Sequence, residues 1–148
     1  MLTRSFSILL LFCTLASCAA TRTRDPNVFA LNGREVRLTD NLLHDYRRSW
    51  PTGTEVKSSL SQSDAQWTLD YIAIAESINR KPACRNLQLT GKVSVQGKED
   101  TIEGKVIKSG TFDEIWLVSS CGLPKRYRIV NPKGTAEFVV YELLNTAF

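Results

Sequence analysis

The chain has 148 residues, with nineteen Lys or Arg against fifteen Asp or Glu, giving a formal charge of +4 at neutral pH. That length supports one hydrophobic core and not two. So mild a positive excess, with no basic block interleaved with aromatics, argues against a nucleic-acid-binding class, and a single histidine, His44, leaves little room for imidazole chemistry.

Arg4 precedes an apolar run from Phe6 to Leu15, and the small residues Ala16 and Ser17 lead to Cys18. These are the three parts of a secretory signal, and the run falls below the roughly 18–20 residues needed to span a bilayer. Leu15-Ala16-Ser17-Cys18 resembles the lipobox of bacterial lipoproteins. The resemblance covers residues 1 to about 20. It implies that 1–17 are removed, that Cys18 is acylated and becomes the first mature residue, and that the membrane is reached through this lipid. Ala19 and Ala20, where an Asp would favour retention in the inner membrane, imply the outer membrane and a domain facing the periplasm. The competing expectation is an ordinary signal cut after Ala19 or Ala20, with Cys18 discarded.

On the lipoprotein resemblance, Cys13 is lost and Cys18 is consumed, so Cys84 and Cys121 remain in an oxidising compartment and are expected to pair. The chain-entropy contribution of such a bridge is roughly 4 kcal/mol. Two cysteines and a distant His44 do not make a four-ligand zinc set, and no CxxC is present. No metal and no cofactor are expected. The resulting plan is a signal at 1–17, a lipidated N-terminus and tether at 18–37, and one α+β domain at 38–148.

Along the chain, Ala19 to Asn27 is polar and reads as tether, with Val28, Phe29 and Leu31 able to dock on the domain. Thr39 to Trp50 predicts a short helix, capped by Thr39 or Asp40 and ended by Pro51 and Gly53. A stronger helix is predicted from Asp64 to Asn79. Ser63 and Gln66 match a capping box, and Trp67, Tyr71, Ile74 and Ile78 recur on one face. Leu69, Ile72, Ala73 and Ala75 widen the apolar arc, and Pro82 stops continuation.

From Asn86 the pattern turns to strands. Leu87 to Val95 is followed by a turn at Gln96-Gly97-Lys98, and Thr101 to Lys108 by a turn at Ser109-Gly110. Phe112 to Ser120, Lys125 to Val130 and Glu137 to Leu144 complete the set, the last two separated by a turn at Asn131-Pro132-Lys133-Gly134. The expectation is an α+β fold: one or two N-terminal helices packed on a four- to five-stranded antiparallel meander, with one disulfide. The stretch Glu114 to Gly122, with Tyr127, is similar to the C-terminal part of small proteobacterial lipoproteins that carry no assigned activity.

Chemistry-bearing patterns are few. His44-Asp45 lacks a nucleophile elbow, and Glu99-Asp100 and Asp113-Glu114 read as solvated acids near turns. Gly91, Gly97, Gly104 and Gly110 are spaced as strand punctuation rather than as a phosphate loop. Lys125, Arg126, Tyr127 and Arg128 form a candidate binding surface. Arg126 and Arg128 share one strand face, opposite Tyr127 and Ile129, and such a basic edge could receive an acidic peptide by strand addition. The expected function is therefore a non-enzymatic envelope lipoprotein that binds a protein partner, an interaction or assembly factor of an outer-membrane complex such as a pilotin. The alternative is a periplasmic inhibitor or ligand-binding lipoprotein of the lysozyme-inhibitor kind, disfavoured by the positive charge. A hydrolase centred on His44 is third.

Overall fold

The computed structural model describes residues 24–31, 34–95, 99–102, 105–132 and 137–143. The signal, the lipobox and Cys18 lie outside the described residues, as do Gln96-Gly97-Lys98 and Lys133-Gly134. The fold is α+β, in the order β1 (Val28–Leu31), β2 (Arg34–Arg37), α1 (Asp40–Arg47), α2 (Gln62–Asn79), β3 (Leu87–Ser94), β4 (Glu99–Ile102), β5 (Lys105–Ser120), β6 (Leu123–Pro132) and β7 (Val139–Glu142). Strands β3, β5, β6 and β7 are neighbours in that order, all antiparallel, and β4 pairs with the first part of β5. Strands β1 and β2 make a separate antiparallel hairpin.

Helix α2 occupies the centre. Ala65, Leu69, Ile72 and Ala73 pack on Leu87, Trp116, Val118, Tyr127, Ile129 and Val140 of the sheet. On the helix's other side, Ile74 and Ala75 pack with Phe29 and Leu31 of the hairpin and Leu43 of α1. A helix apolar around most of its circumference must be covered on both sides, and α2 is. Trp50, after α1, ties the layers by donating its Nε1 hydrogen to the Leu69 carbonyl at 3.0 Å.

The cap of α2 is Ser61, whose hydroxyl accepts from the Asp64 amide at 3.2 Å; the Ser63–Gln66 box is not formed, and Gln66 instead donates to Asp70 at 2.9 Å. Two extra residues at the start shift the cap while leaving the helical period intact. Ile78, placed by that period on the packed face, is half-exposed because the helix outruns its cover there.

Three further expectations are corrected. Residues 28–31 and 34–37, assigned to the tether, are paired strands: Phe29 is fully buried and stacks on Trp67 with ring centroids 5.2 Å apart. Two four-residue strands are too short to show periodicity, and their order comes from docking on α2. Second, Thr101 to Lys108 is not one strand, because Ile102 pairs back with Lys105. Third, Ser109-Gly110 lies inside β5, where a register shift between Ser109 and Asp113 bends the strand against β6 and accommodates residues that read as a turn.

Candidate binding groove

The structure joins the two cysteines that sequence paired and covers much of the basic strip. Cys84 and Cys121 are bonded, with Cα atoms 5.9 Å apart, joining the segment after α2 to the two-residue turn between β5 and β6. Cys121 (φ 49°) and Gly122 (φ 82°) both adopt the left-handed conformation required by a type I′ hairpin turn. The basic strip is not a free surface. Tyr127 and Ile129 do face the core, but Arg128, on the opposite face, is only 4 % exposed and forks onto the buried Asp113 at 2.9 and 2.6 Å. Lys125 is ion-paired to Glu142, and Arg126 is half-buried with partners of its own. Alternation assigned the faces correctly; it could not show that one stretch of the outer face is covered. His44 is exposed on α1, and the neighbouring Asp45 carboxylate is taken by Arg85 at 2.8 Å.

Buried acids form the interior's polar framework, each linking two elements. Asp70 of α2 accepts a fork from Arg47 of α1, at 2.9 and 2.8 Å. Glu76 accepts from the hydroxyls of Ser120 and Tyr127, with Arg80 at 3.5 Å and also donating to Ser120. Burial, and then the Glu76 carboxylate, push the Tyr127 phenol well up, so it stays protonated and donates. Glu114 receives Ser58 at 2.9 Å, Lys92 at 3.0 Å and the Trp116 indole at 3.0 Å. Burial raises the Glu114 carboxyl, but the bonds from Trp116, Lys92 and Ser58 outweigh it and hold the group below the usual carboxylate range.

The opposite arrangement is found around Trp67, near the N-terminal end of α2. A groove of about 610 Å³ is lined there by Arg24, Val28, Ala30, Trp67, Tyr71 and Phe138, among others. Trp67 is its floor, stacked on Phe29 and Tyr71 and meeting Phe138 edge-on at 5.6 Å. Its two walls are strand edges. The Leu38 amide bonds the Asn27 carbonyl, which fixes the β1–β2 alternation so that the peptide groups of Val28 and Ala30 turn away from β2. The Leu143 amide bonds the Arg126 carbonyl, which likewise turns Phe138, Val140 and Glu142 away from β6. Side chains have reached two of these outward carbonyls: Trp67 Nε1 donates to Val28 at 3.1 Å, and Arg24 Nη2 donates to Phe138 at 2.9 Å.

Arg24 is sandwiched, its guanidinium carbon 4.1 Å from the Trp67 ring centre and 3.9 Å from that of Phe138. Burial lowers its pKa, against the favourable charges of Asp64 and Glu137. Sequence reasoning missed this site because Arg24 sat in presumed tether, while Trp67 and Tyr71 were assigned wholly to core. The legible signal was the pair Val28 and Phe29 immediately after a polar stretch. No metal-holding group of His, Cys, Asp or Glu occurs among the described residues, and none of their helices is long and apolar enough to cross a membrane. No family model, no curated protein and no solved structure matches the chain.

Proposed function

We propose that this chain is a non-enzymatic, lipid-anchored protein of the cell envelope that acts by binding a protein partner, as an interaction or assembly factor at the outer membrane. Cys18 is its acylated residue, and its folded part faces the periplasm. The observation that carries the reading is the groove beside Arg24, a residue six positions after Cys18. Six extended residues reach about 20 Å, so an anchor at Cys18 would hold the groove close to the membrane surface, in reach of an outer-membrane assembly. Two outward strand edges beside an aromatic floor suit recognition of an extended segment better than chemistry on a small substrate. The interior ionisable groups around Asp70, Glu76, Asp113 and Glu114 are committed to links between elements.

Labelling cells with an alkynyl palmitate analogue tests the anchor. The chain should take up label and sediment with the outer membrane, and Cys18→Ala should lose both. Unlabelled, soluble wild-type chain would overturn this reading.

The groove's volume lies in the range of small-ligand pockets and favours one second reading, a periplasmic ligand-binding or inhibitor lipoprotein. Inhibition of lysozyme by the purified chain would support that reading over the first.

A further inference from the structure

The groove already holds a guest, and the guest belongs to the same chain. Arg24 precedes β1 and lies outside every helix and strand, yet its guanidinium fills the slot between Trp67 and Phe138 and caps the outward Phe138 carbonyl. The fit is incomplete. Nη1 is buried and finds no hydrogen-bond partner among the described residues, a situation that penalises a donor by roughly the worth of a hydrogen bond. The slot therefore selects a flat cation, through two ring faces and a main-chain acceptor, but it leaves one donor of its present occupant without a partner among the described residues, so that occupant is weakly held.

The surrounding charges point the same way. Arg37 is paired with Asp25 at 2.7 Å, so removal of Arg24 leaves the lining with Asp25, Glu35 and Glu137 against Arg37. That balance suits a cationic guest. Of the two walls, β7 is the better template: Val28 is already bonded by Trp67, whereas Phe138 is held by the displaceable Arg24, and Val140 turns its peptide groups outward.

We propose that the groove receives an extended, arginine-bearing segment of a partner protein, which adds as a strand to the β7 edge and places its guanidinium between Trp67 and Phe138 in place of Arg24. This deepens the binding role proposed above by naming the partner's chemistry. Arg24 then acts as a built-in competitor that keeps an exposed edge and an aromatic slot covered until the partner arrives. Competition from a resident side chain lowers the apparent affinity by the fraction of time the slot is filled.

The test uses the full chain in detergent and a blocked peptide, acetyl-Thr-Val-Thr-Arg-Thr-Val-amide, with a second peptide carrying citrulline in place of its arginine. Citrulline keeps the shape and loses the charge. Affinity is read from the Trp67 indole N–H resonance, and pairing from amide exchange at Val140. Arg24→Ala should bind the arginine peptide about fivefold more tightly than wild type, a gain of the size expected when a partly exposed cation–π contact no longer has to be displaced. Arg24→Gln should show the same direction, Phe138→Leu in the Arg24→Ala background should remove the gain, and the citrulline peptide should not show it. Val140 should become protected on binding. Equal affinity of wild type and both Arg24 variants, equal binding of the citrulline peptide, or an unprotected Val140 would each overturn the proposal. A peptide-free Arg24→Ala chain that sediments as a dimer would overturn it too, by assigning the edge to a second copy. None of these outcomes touches palmitate labelling at Cys18, so failure here is distinguishable from failure of the anchored-protein reading.

Discussion

The two ends of α2 are built on opposite rules. At the C-terminal end, Glu76 gathers Ser120, Tyr127 and Arg80, and the Cys84–Cys121 bridge closes the same corner. Polar atoms there have partners on another element, which makes the corner a clamp between helix and sheet. Near the N-terminal end, Trp67 faces a groove flanked by two outward strand edges, one guanidinium is wedged between rings, and its Nη1 is buried without a partner among the described residues. One helix thus carries a scaffold at one end and a receptive surface at the other. Satisfied polar groups mark the part that must stay put. At the receptive end, Arg24 Nη1 is left without a partner among the described residues, which favours exchange of that guanidinium.

This contrast fails if the clamp proves dispensable. Cys84→Ser with Cys121→Ser should lower stability by about 4 kcal/mol in the chain-entropy account, measured by denaturant unfolding, the largest of the effects predicted for these two ends. A loss below that expected from Arg24→Ala would invert the assignment of the two ends. Tyr127→Phe removes one of Glu76's donors inside the core and should lose about 2 kcal/mol, with near-UV circular dichroism showing a retained fold.

Glu114 sharpens the comparison through pH. Its carboxyl is held below the ordinary value, so its contribution is complete above the unfolded value of about 4.3 and is lost as pH falls through the lower folded value. Glu114→Gln should be about 1–2 kcal/mol less stable than wild type at pH 7, and the gap should shrink in acid below pH 4. A gap that stays constant down to pH 2 would show that the carboxylate's charge contributes nothing. Smallest of all, Arg24→Ala should change unfolding stability by less than about 1 kcal/mol, the scale of a partly exposed cation–π contact. A larger loss would move Arg24 from guest to structural member.

How much of this was legible depended on range. Helix α1 follows from its local cap and α2 from its period, and the strands from Leu87 onward follow from alternation except at 101–110, where one expected strand is two and an expected turn lies inside β5. The bridge partners were reached through cysteine arithmetic. The Arg126/Arg128 alternation was also correct, yet exposure depends on what covers a sheet face, and no strand encodes its own cover. The β1–β2 pair escaped for the same reason: Phe29 is core only because Trp67, thirty-eight residues later, stacks on it. The groove is further still from the sequence, since it needs Arg24, α2 and β7 together. Glu114 read as a solvated acid because its partners lie on distant strands and loops.

The most direct measurement is residue-resolved native-state hydrogen exchange on the full chain. Ile129, paired inside the sheet and fully buried, should exchange only through global unfolding. Ala30 and Val140, on the outward edges, should exchange orders of magnitude faster and without dependence on denaturant. Protection of Ala30 and Val140 equal to that of Ile129 would mean that both edges are already paired, and the division of α2 into a clamp and a receptive groove would be wrong.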